Sequence, residues 1–312
     1  MTRRHKIALI PGDGIGEEVT HEGVKILKKV HQYFGVDLEM VFFDFGAERY
    51  LRDGMTMPEE QIIEFRKNYD AILLGALGDP RIPDMAHARD ILLGLRFKLD
   101  LFVNYRPVKL IDEALCPLKN KTVADIDFVV LRENTEGAYV GMGGIFKKGT
   151  PDEIATQEDV NTRKGVERII RFAFEFARKT GRSKVTMTDK SNALRFGHDL
   201  WYRVFHEVGE AFPDIEQEHL FIDALVMKMV RQPESFDVIV TCNLFGDIIS
   251  DLGAQLQGGI GLAASANLNP DAPGLFEPVH GSDPDIAGKG VANPLAAILT
   301  AGCCWRTLDI RL

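Results

Sequence analysis

The sequence predicts an α/β fold. Short apolar, β-branched or leucine-rich runs alternate with longer stretches of helical period, the alternation that builds a sheet with helices on both faces. The runs lack polar alternation and therefore read as strands covered on both sides. At roughly 150 residues per domain, 312 residues suggest about two domains, with a core that needs no disulfide or metal staple.

Residues 6–10 are the first strand candidate. Residues 17–34 follow with Val19, Val24, Leu27, Val30 and Phe34 at helical spacing. Residues 38–43, 71–74, 128–131, 184–188 and 236–241 are further strands. A helix capped by Asn161 or Thr162 runs through Val166, Ile169, Ile170, Ala173 and Ala177 to a stop at Gly181. Two segments break the rhythm. Residues 141–159 are polar and glycine-rich, a loop or an extended arm. Residues 258–294 are rich in Gly, Pro, Asn and Asp and read as a long irregular segment, of the kind that carries function.

Composition narrows the function classes. Hydrophobic residues at 45% and charged residues at 27% exclude a disordered or fibrous chain. The charge sum, 37 − 46 = −9, argues against nucleic acid and anionic membranes as partners, whereas a small anion would need a local basic pocket. Four cysteines, Cys116, Cys242, Cys303 and Cys304, form no CxxC pair and read as free thiols in a reducing compartment. The apolar run 7–10 is too short for a signal-peptide core and no stretch approaches a membrane span, so the expectation is a soluble, cytoplasmic protein.

Several residue groups have chemistry to offer, each with a bland alternative. The turn Pro11–Gly16 sits between strand and helix, yet its glycines miss the dinucleotide fingerprint and it has no P-loop lysine; taken alone it is a flexible turn. Asn243-Leu-Phe-Gly-Asp247-Ile-Ile-Ser-Asp251 follows a strand, where open α/β sheets bind ligands. Asp247 and Asp251, four apart, share one helix face. They are suited to a hard divalent cation such as Mg²⁺ or Mn²⁺, or simply to a solvated helix start. Arg96, Arg106 and Arg132 lie near element ends and could hold a carboxylate in bidentate fashion, or serve as surface ion-pair partners. Tyr139 and Lys190 could transfer protons in a site that tunes them, but in isolation neither carries a catalytic claim.

Together these segments resemble the β-decarboxylating dehydrogenases, the isocitrate/isopropylmalate dehydrogenase family. The resemblance runs in order through IALIPGDGIG, LRFKLDLFVNYRPV, VLRENTEGAYVG, TDKSNAL, FIDALVM, NLFGDIISD and LFEPVHGSDPDIAGKGVANPLAAI, covering nearly the whole chain. It implies a two-domain α/β fold with a central mixed sheet, not a Rossmann fold. A discontinuous NAD-binding domain would comprise residues 1–101 and 258–312. A substrate, metal and dimerisation domain would comprise 102–257, with an arm near 141–159.

The resemblance also implies roles. Arg96, Arg106 and Arg132 would grip the carboxylates of a hydroxy-dicarboxylate, with Leu92 and Leu93 against its apolar substituent. Asp223, Asp247 and Asp251 would ligate Mg²⁺ or Mn²⁺, Asp223 coming from the other subunit of a homodimer with shared active sites. Lys190, also from the other subunit, would help remove the hydroxyl proton, and Tyr139 would protonate the enolate. Glu277, His280, Gly281, Asp285 and Asn293 would line the dinucleotide site, the charge of Asp285 favouring NAD over NADP.

The expected reaction is oxidative decarboxylation of a 3-substituted malate, foremost 3-isopropylmalate to 4-methyl-2-oxopentanoate and CO₂ in leucine biosynthesis. Arg89 stands where isopropylmalate enzymes usually carry a glutamate, and RENTEGAYVG and ANLNP also fit the tartrate and D-malate group, which is the alternative. The family continues past ANPLAAILTAG, whereas this chain ends in CCWRTLDIRL, which resembles a truncation or a change of reading frame. A non-catalytic regulatory member is the remaining alternative, and it rests on that ending alone.

Overall fold

Strand β1 (Arg4–Gly12) leads into helix α1 (Gly16–Phe34) in the computed structural model, which describes residues 4–310. The buried face of α1 repeats at helical spacing through Val19, Gly23, Val24 and Leu27, and the helix stops at Gly35 in the left-handed conformation, φ 67°. Next come β2 (Asp37–Phe42), α2 (Ala47–Asp53), α3 (Glu59–Asn68), β3 (Ala71–Ala76), α4 (Ala86–Lys98) and β4 (Val103–Lys109). Inside β4 the chain passes from one compact unit to another. Residues up to Pro107 and from Gln257 onward form the first unit, and Val108–Leu256 the second, which leaves Arg106 in the first.

The second unit contains β5 (Asp127–Glu133), β6 (Gly143–Phe146), β7 (Ile154–Gln157), α5 (Arg163–Thr180), β8 (Lys184–Asp189) and α6 (Gly197–Gly209). It continues through β9 (Glu216–Phe221), α7 (Ile222–Arg231), β10 (Val238–Thr241) and α8 (Asn243–Leu256). The chain re-enters the first unit with β11 (Ala264–Leu268), β12 (Gly274–Pro278) and α9 (Leu295–Ile310).

In the first unit the strands lie in the order β2-β1-β3-β12-β11-β4. β1, β2, β3 and β12 are parallel, while β11 runs antiparallel to β12 and β4, so the sheet is mixed. Ala8, Ile10, Ile72, Leu74 and Leu275 pack on Phe65, Ile91 and Leu95. Val19 packs with Ala297 in a separate cluster on α1 and α9, two helices that also lie against β3. Every residue of β3 is buried, which is why its sequence carries no polar alternation.

The second unit's strands β5-β10-β8-β9 are all parallel. Phe128, Val130 and Ile239 pack against Leu225, Met229 and Ile249 of α7 and α8. Phe174 of α5 stacks on Phe205 of α6 at 5.5 Å. Helix α5 starts and stops where the sequence predicts. Thr162 Oγ1 accepts from Gly165 N at 3.0 Å, and Gly181 closes the helix at φ 71°.

Two expectations change, and a third segment gains a definite form. The segment 258–294 is not irregular throughout, because ASANL and GLFEP are the buried strands β11 and β12. They escape an apolar-run criterion because Ser265, Asn267 and Glu277 are polar, and their side chains find partners inside the unit. Of the two readings for 141–159, the segment contains an exposed antiparallel hairpin, β6 with β7.

The Pro11–Gly16 turn is pinned rather than flexible. Asp13 accepts from Ala47 N at 2.6 Å, Gly78 N at 2.8 Å and His87 Nε2 at 2.8 Å. Gly14, at φ 56°, lies so close to Ser282 that a Cβ there would fall 2.1 Å from its carbonyl oxygen. All four cysteines are free thiols, and burial pushes Cys242 up to about 12 and Cys303 up to about 11. No helix among the described residues is long and apolar enough to cross a membrane.

Candidate active site

In the second unit the carboxyl end of β5 faces the start of α8, as it does in parallel sheets that bind ligands. Arg132, at the end of β5, is buried rather than a surface residue. Its Nε donates to Asn243 Oδ1 at 2.9 Å, and its Nη1 is ion-paired with Asp247. Tyr139 donates to the second oxygen of Asp247 at 2.7 Å, and the Arg132 guanidinium lies 5.1 Å from the Tyr139 ring centroid. Burial, then the bond to Asp247 and its charge, push the Tyr139 hydroxyl's pKa above its ordinary value, with Arg132 opposing. Gly246 permits this approach, since a Cβ there would lie 2.5 Å from Arg132 Cβ and Cγ.

Asn243 is a residue that sequence reasoning missed. It accepts from Arg132 and donates through Nδ2 to the Glu136 carbonyl at 3.0 Å, tying the Arg132–Tyr139 segment to α8. Its place at the head of the NLFGD motif was the available signal.

Lys190 follows β8, and its Nζ donates to Asp223 Oδ1, on α7, at 2.5 Å. That bond holds the exposed Asp223 carboxyl below its usual range. Asp247 and Asp251 lie one turn apart on α8, about 5–6 Å between Cβ atoms by helix geometry. As a donor set these carboxylates fit a hard divalent cation. Within one chain they supply two ligands. Among the described residues no three His, Cys, Asp or Glu side chains come together to hold a metal ion.

In the first unit a cavity of about 350 Å³ is lined by Leu92, Leu93, Arg96, Arg106, Glu277 and His280 among others, with Arg89 and Gly281 also on its wall. Arg96 Nη2 donates to Glu277 Oε1 at 2.8 Å. The same oxygen accepts from Asn267 Nδ2 at 2.9 Å. Asn267 Oδ1 accepts from Asn104 Nδ2 at 2.9 Å, and Asn104 Oδ1 accepts from Arg106 Nε at 2.8 Å. This network joins both arginines through buried amides. Asn104 and Asn267 carry no sequence signature that would have marked them.

Of the residues expected at a dinucleotide, Glu277, His280 and Gly281 share that cavity, and the Nε2 of His280 is buried without a hydrogen-bond partner. Asp285 is exposed in the loop after them. Asn293 Oδ1 accepts from Leu295 N, the first residue of α9, at 3.0 Å.

Buried arginines at strand and helix ends are a donor set suited to small polyanions. The isocitrate/isopropylmalate dehydrogenase family model matches residues 6–311, and the chain belongs to that family. It is 51% identical over 300 residues to the 3-isopropylmalate dehydrogenase of Thermobifida fusca, covering 96% of this chain and 84% of the relative. The 3-isopropylmalate dehydrogenase of Streptomyces griseus is 49% identical over 310 residues, 99% of this chain and 88% of the relative. Among solved structures, the isocitrate dehydrogenase of Methylococcus capsulatus superposes with a TM-score of 0.85 at 39% identity, over 97% of this chain and 86% of that one.

Proposed function

We propose that the protein catalyses the NAD- and divalent-metal-dependent oxidative decarboxylation of 3-isopropylmalate to 4-methyl-2-oxopentanoate and CO₂. The observation that carries the reading is the shared carboxylate of Asp247, held by Arg132 and Tyr139 one helical turn from Asp251. It puts an anion receptor, a neutral acid and a cation ligand in one hydrogen-bonded group. The relatives at about half identity named for this substrate, and the apolar Leu92 and Leu93 on the cavity wall, support the choice of a branched alkyl substituent.

Arg132, Arg96 and Arg106 take the substrate's two carboxylates, which suits planar donors that stay charged when buried. Asp247 and Asp251, with Asp223 of the partner subunit, hold Mg²⁺ or Mn²⁺. Glu277, His280, Gly281, Asp285 and Asn293 face NAD, and the unsatisfied Nε2 of His280 is a polar atom available to it. When bound, NAD would supply the hydride acceptor for C2 and the cation would supply Lewis acidity at the neighbouring oxygen. Lys190 of the partner subunit takes the 2-hydroxyl proton. Tyr139, which donates its hydroxyl proton to Asp247, returns one proton to C3 after CO₂ leaves. One proton removed and one delivered balance, so the net change is substrate and NAD⁺ to keto acid, CO₂ and NADH.

The test is NADH formation by purified protein with Mn²⁺ and, in turn, 3-isopropylmalate, D-malate, tartrate and isocitrate. The highest kcat/KM is expected on 3-isopropylmalate. A preference for D-malate or tartrate would move the protein to that branch, and silence on all four from a sound dimer in size-exclusion chromatography would refute the catalytic reading.

A further inference from the structure

Lys190 is anchored by its backbone as well as its side chain. Its N–H donates to His198 Nδ1 at 2.8 Å, and its carbonyl accepts from Ala193 N at 2.9 Å and Leu194 N at 2.8 Å. His198, near the start of α6, is 1% exposed, with its ring edge-on to Phe245 at 5.2 Å. A ring nitrogen that accepts from a backbone N–H carries no proton, so in the neutral imidazole the proton sits on Nε2. Nε2 lies 3.6 Å from Asp159 Oδ2, which suits that tautomer. Asp159 Oδ2 in turn accepts from Asn161 Nδ2 at 2.9 Å, and Asn161 Oδ1 accepts from Trp201 Nε1 at 2.8 Å. Gly197 leaves room for Asn161, whose Nδ2 would lie 2.7 Å from a Cβ there.

We propose that His198 is a positioning residue for proton transfer, acting through the backbone of Lys190, whose N–H selects its tautomer by donating to Nδ1. Lysine is a flexible four-carbon stem, so the reach of its ammonium depends on where its Cα–Cβ bond points. The Nδ1 bond, with the two bonds to the Lys190 carbonyl, fixes the peptide planes on both sides of that Cα. This deepens the reading of Lys190 given under the proposed function and rests on it. Reacting groups lose about 10²-fold in rate for a misplacement on the order of 1 Å, so a backbone anchor of this kind is worth a measurable factor in kcat.

The experiment compares two amide variants in the intact protein, with 3-isopropylmalate, NAD and Mn²⁺ at saturation. In His198→Asn the side-chain oxygen replaces Nδ1 as acceptor, and kcat should stay within about threefold of wild type. In His198→Gln the longer amide reaches the Nε2 position and leaves the Lys190 N–H without its acceptor. There kcat should fall at least about tenfold with little change in KM. In a Lys190→Ala background, His198→Gln should cost nothing further. If His198→Gln does not fold, His198→Phe replaces it, keeping the ring on Phe245 while removing both nitrogens. Full kcat in the folded Gln or Phe variant, or an undiminished loss in the Lys190→Ala background, overturns the proposal while leaving the Lys190 reading intact. Wild-type turnover by Lys190→Ala itself overturns that reading, and this proposal with it.

Discussion

In the first unit Arg96 and Glu277 meet with side chains only 9% and 12% exposed; in the second, Arg132 is 2% exposed while its partner Asp247 is open to 36%. Both pairs join an arginine proposed to bind substrate to a carboxylate. Glu277 is spent on its neighbours, since one oxygen alone takes Arg96 and Asn267. Asp247 also accepts from Arg132 and Tyr139, yet it reaches solvent on the helix face it shares with Asp251. The difference separates a carboxylate that neutralises a buried cation from one that keeps access for a second cation. Removing the first should cost fold stability. Removing the charge of the second should cost chemistry.

The largest expected effect follows for Asp247→Asn. The amide keeps the shape and still accepts from Arg132, but it is a poor ligand for a hard cation. Loss of several kcal/mol of Lewis-acid stabilisation corresponds to a fall of about 10³-fold in kcat, while the unfolding midpoint falls less than in the loss of Glu277, because the amide still accepts from Arg132 and the site is open to water. Near-wild-type turnover in saturating Mn²⁺ would remove the metal assignment. A collapse in the unfolding midpoint would erase the contrast between the two pairs.

Glu277→Ala tests the other pair. It leaves the Arg96 guanidinium buried with its anion gone, and the Asn267 amide loses an acceptor. An uncompensated buried charge costs about 3–5 kcal/mol, and access to water through the cavity places this site near the lower end. A midpoint lowered by roughly 6–12 °C is expected in thermal unfolding, since about 1 kcal/mol moves a domain of this size by 2–4 °C. An unchanged midpoint would mean that the pair is maintained for binding alone.

Gly246→Ala addresses the second pair without touching a charge. A new Cβ 2.5 Å from the Arg132 side chain must push it away from Asn243 and Asp247. Overpacking of about 1–3 kcal/mol is expected in denaturant titration, with KM for 3-isopropylmalate raised more than kcat is lowered. Wild-type kinetics would show that the position of Arg132 is not set from α8.

These contrasts mark where the sequence was readable. Helix α5 was legible from end to end because its signals are local: a capping threonine, an apolar stripe and a terminal glycine. The Asp247–Asp251 pair was legible for the same reason, since i,i+4 spacing on a helix fixes a shared face. Strands β11 and β12 were not, because their polar residues are satisfied only by tertiary partners. Asn267 looks like a loop residue until Asn104 and Glu277 are seen to bond it. The Asp13 clamp was hidden similarly, as its three donors come from positions 47, 78 and 87. Family resemblance named Arg132, Tyr139 and Asp247 as site residues; that they form one hydrogen-bonded group is a fact of the fold alone.

The smallest expected effect comes from an ion pair at the opposite end of β5 from Arg132, which serves as the control for both. At the start of β5, Asp127 accepts from Arg182 Nη2 at 2.5 Å and pairs with Lys109 Nζ at 2.9 Å. Burial alone would raise the pKa of Asp127, but hydrogen bonds and charge from Lys109 and Arg182 outweigh it and hold the carboxyl below the usual carboxylate range. A pKa lower in the folded than in the unfolded state gives stability that is present above the unfolded value, near 4, and is lost as pH falls through the folded value. The side chain is 38% exposed, so solvent screening limits the contribution to about 0.5 kcal/mol. Thermal midpoints measured between pH 6 and 3 should therefore fall about 1–2 °C more in the wild type than in Asp127→Asn, with kcat at pH 7 equal in the two. An acid dependence that survives this substitution unchanged would assign it to other carboxylates. A loss of turnover at pH 7 would show that even this pair acts on the site, and the distinction between structural and chemical carboxylates would need redrawing.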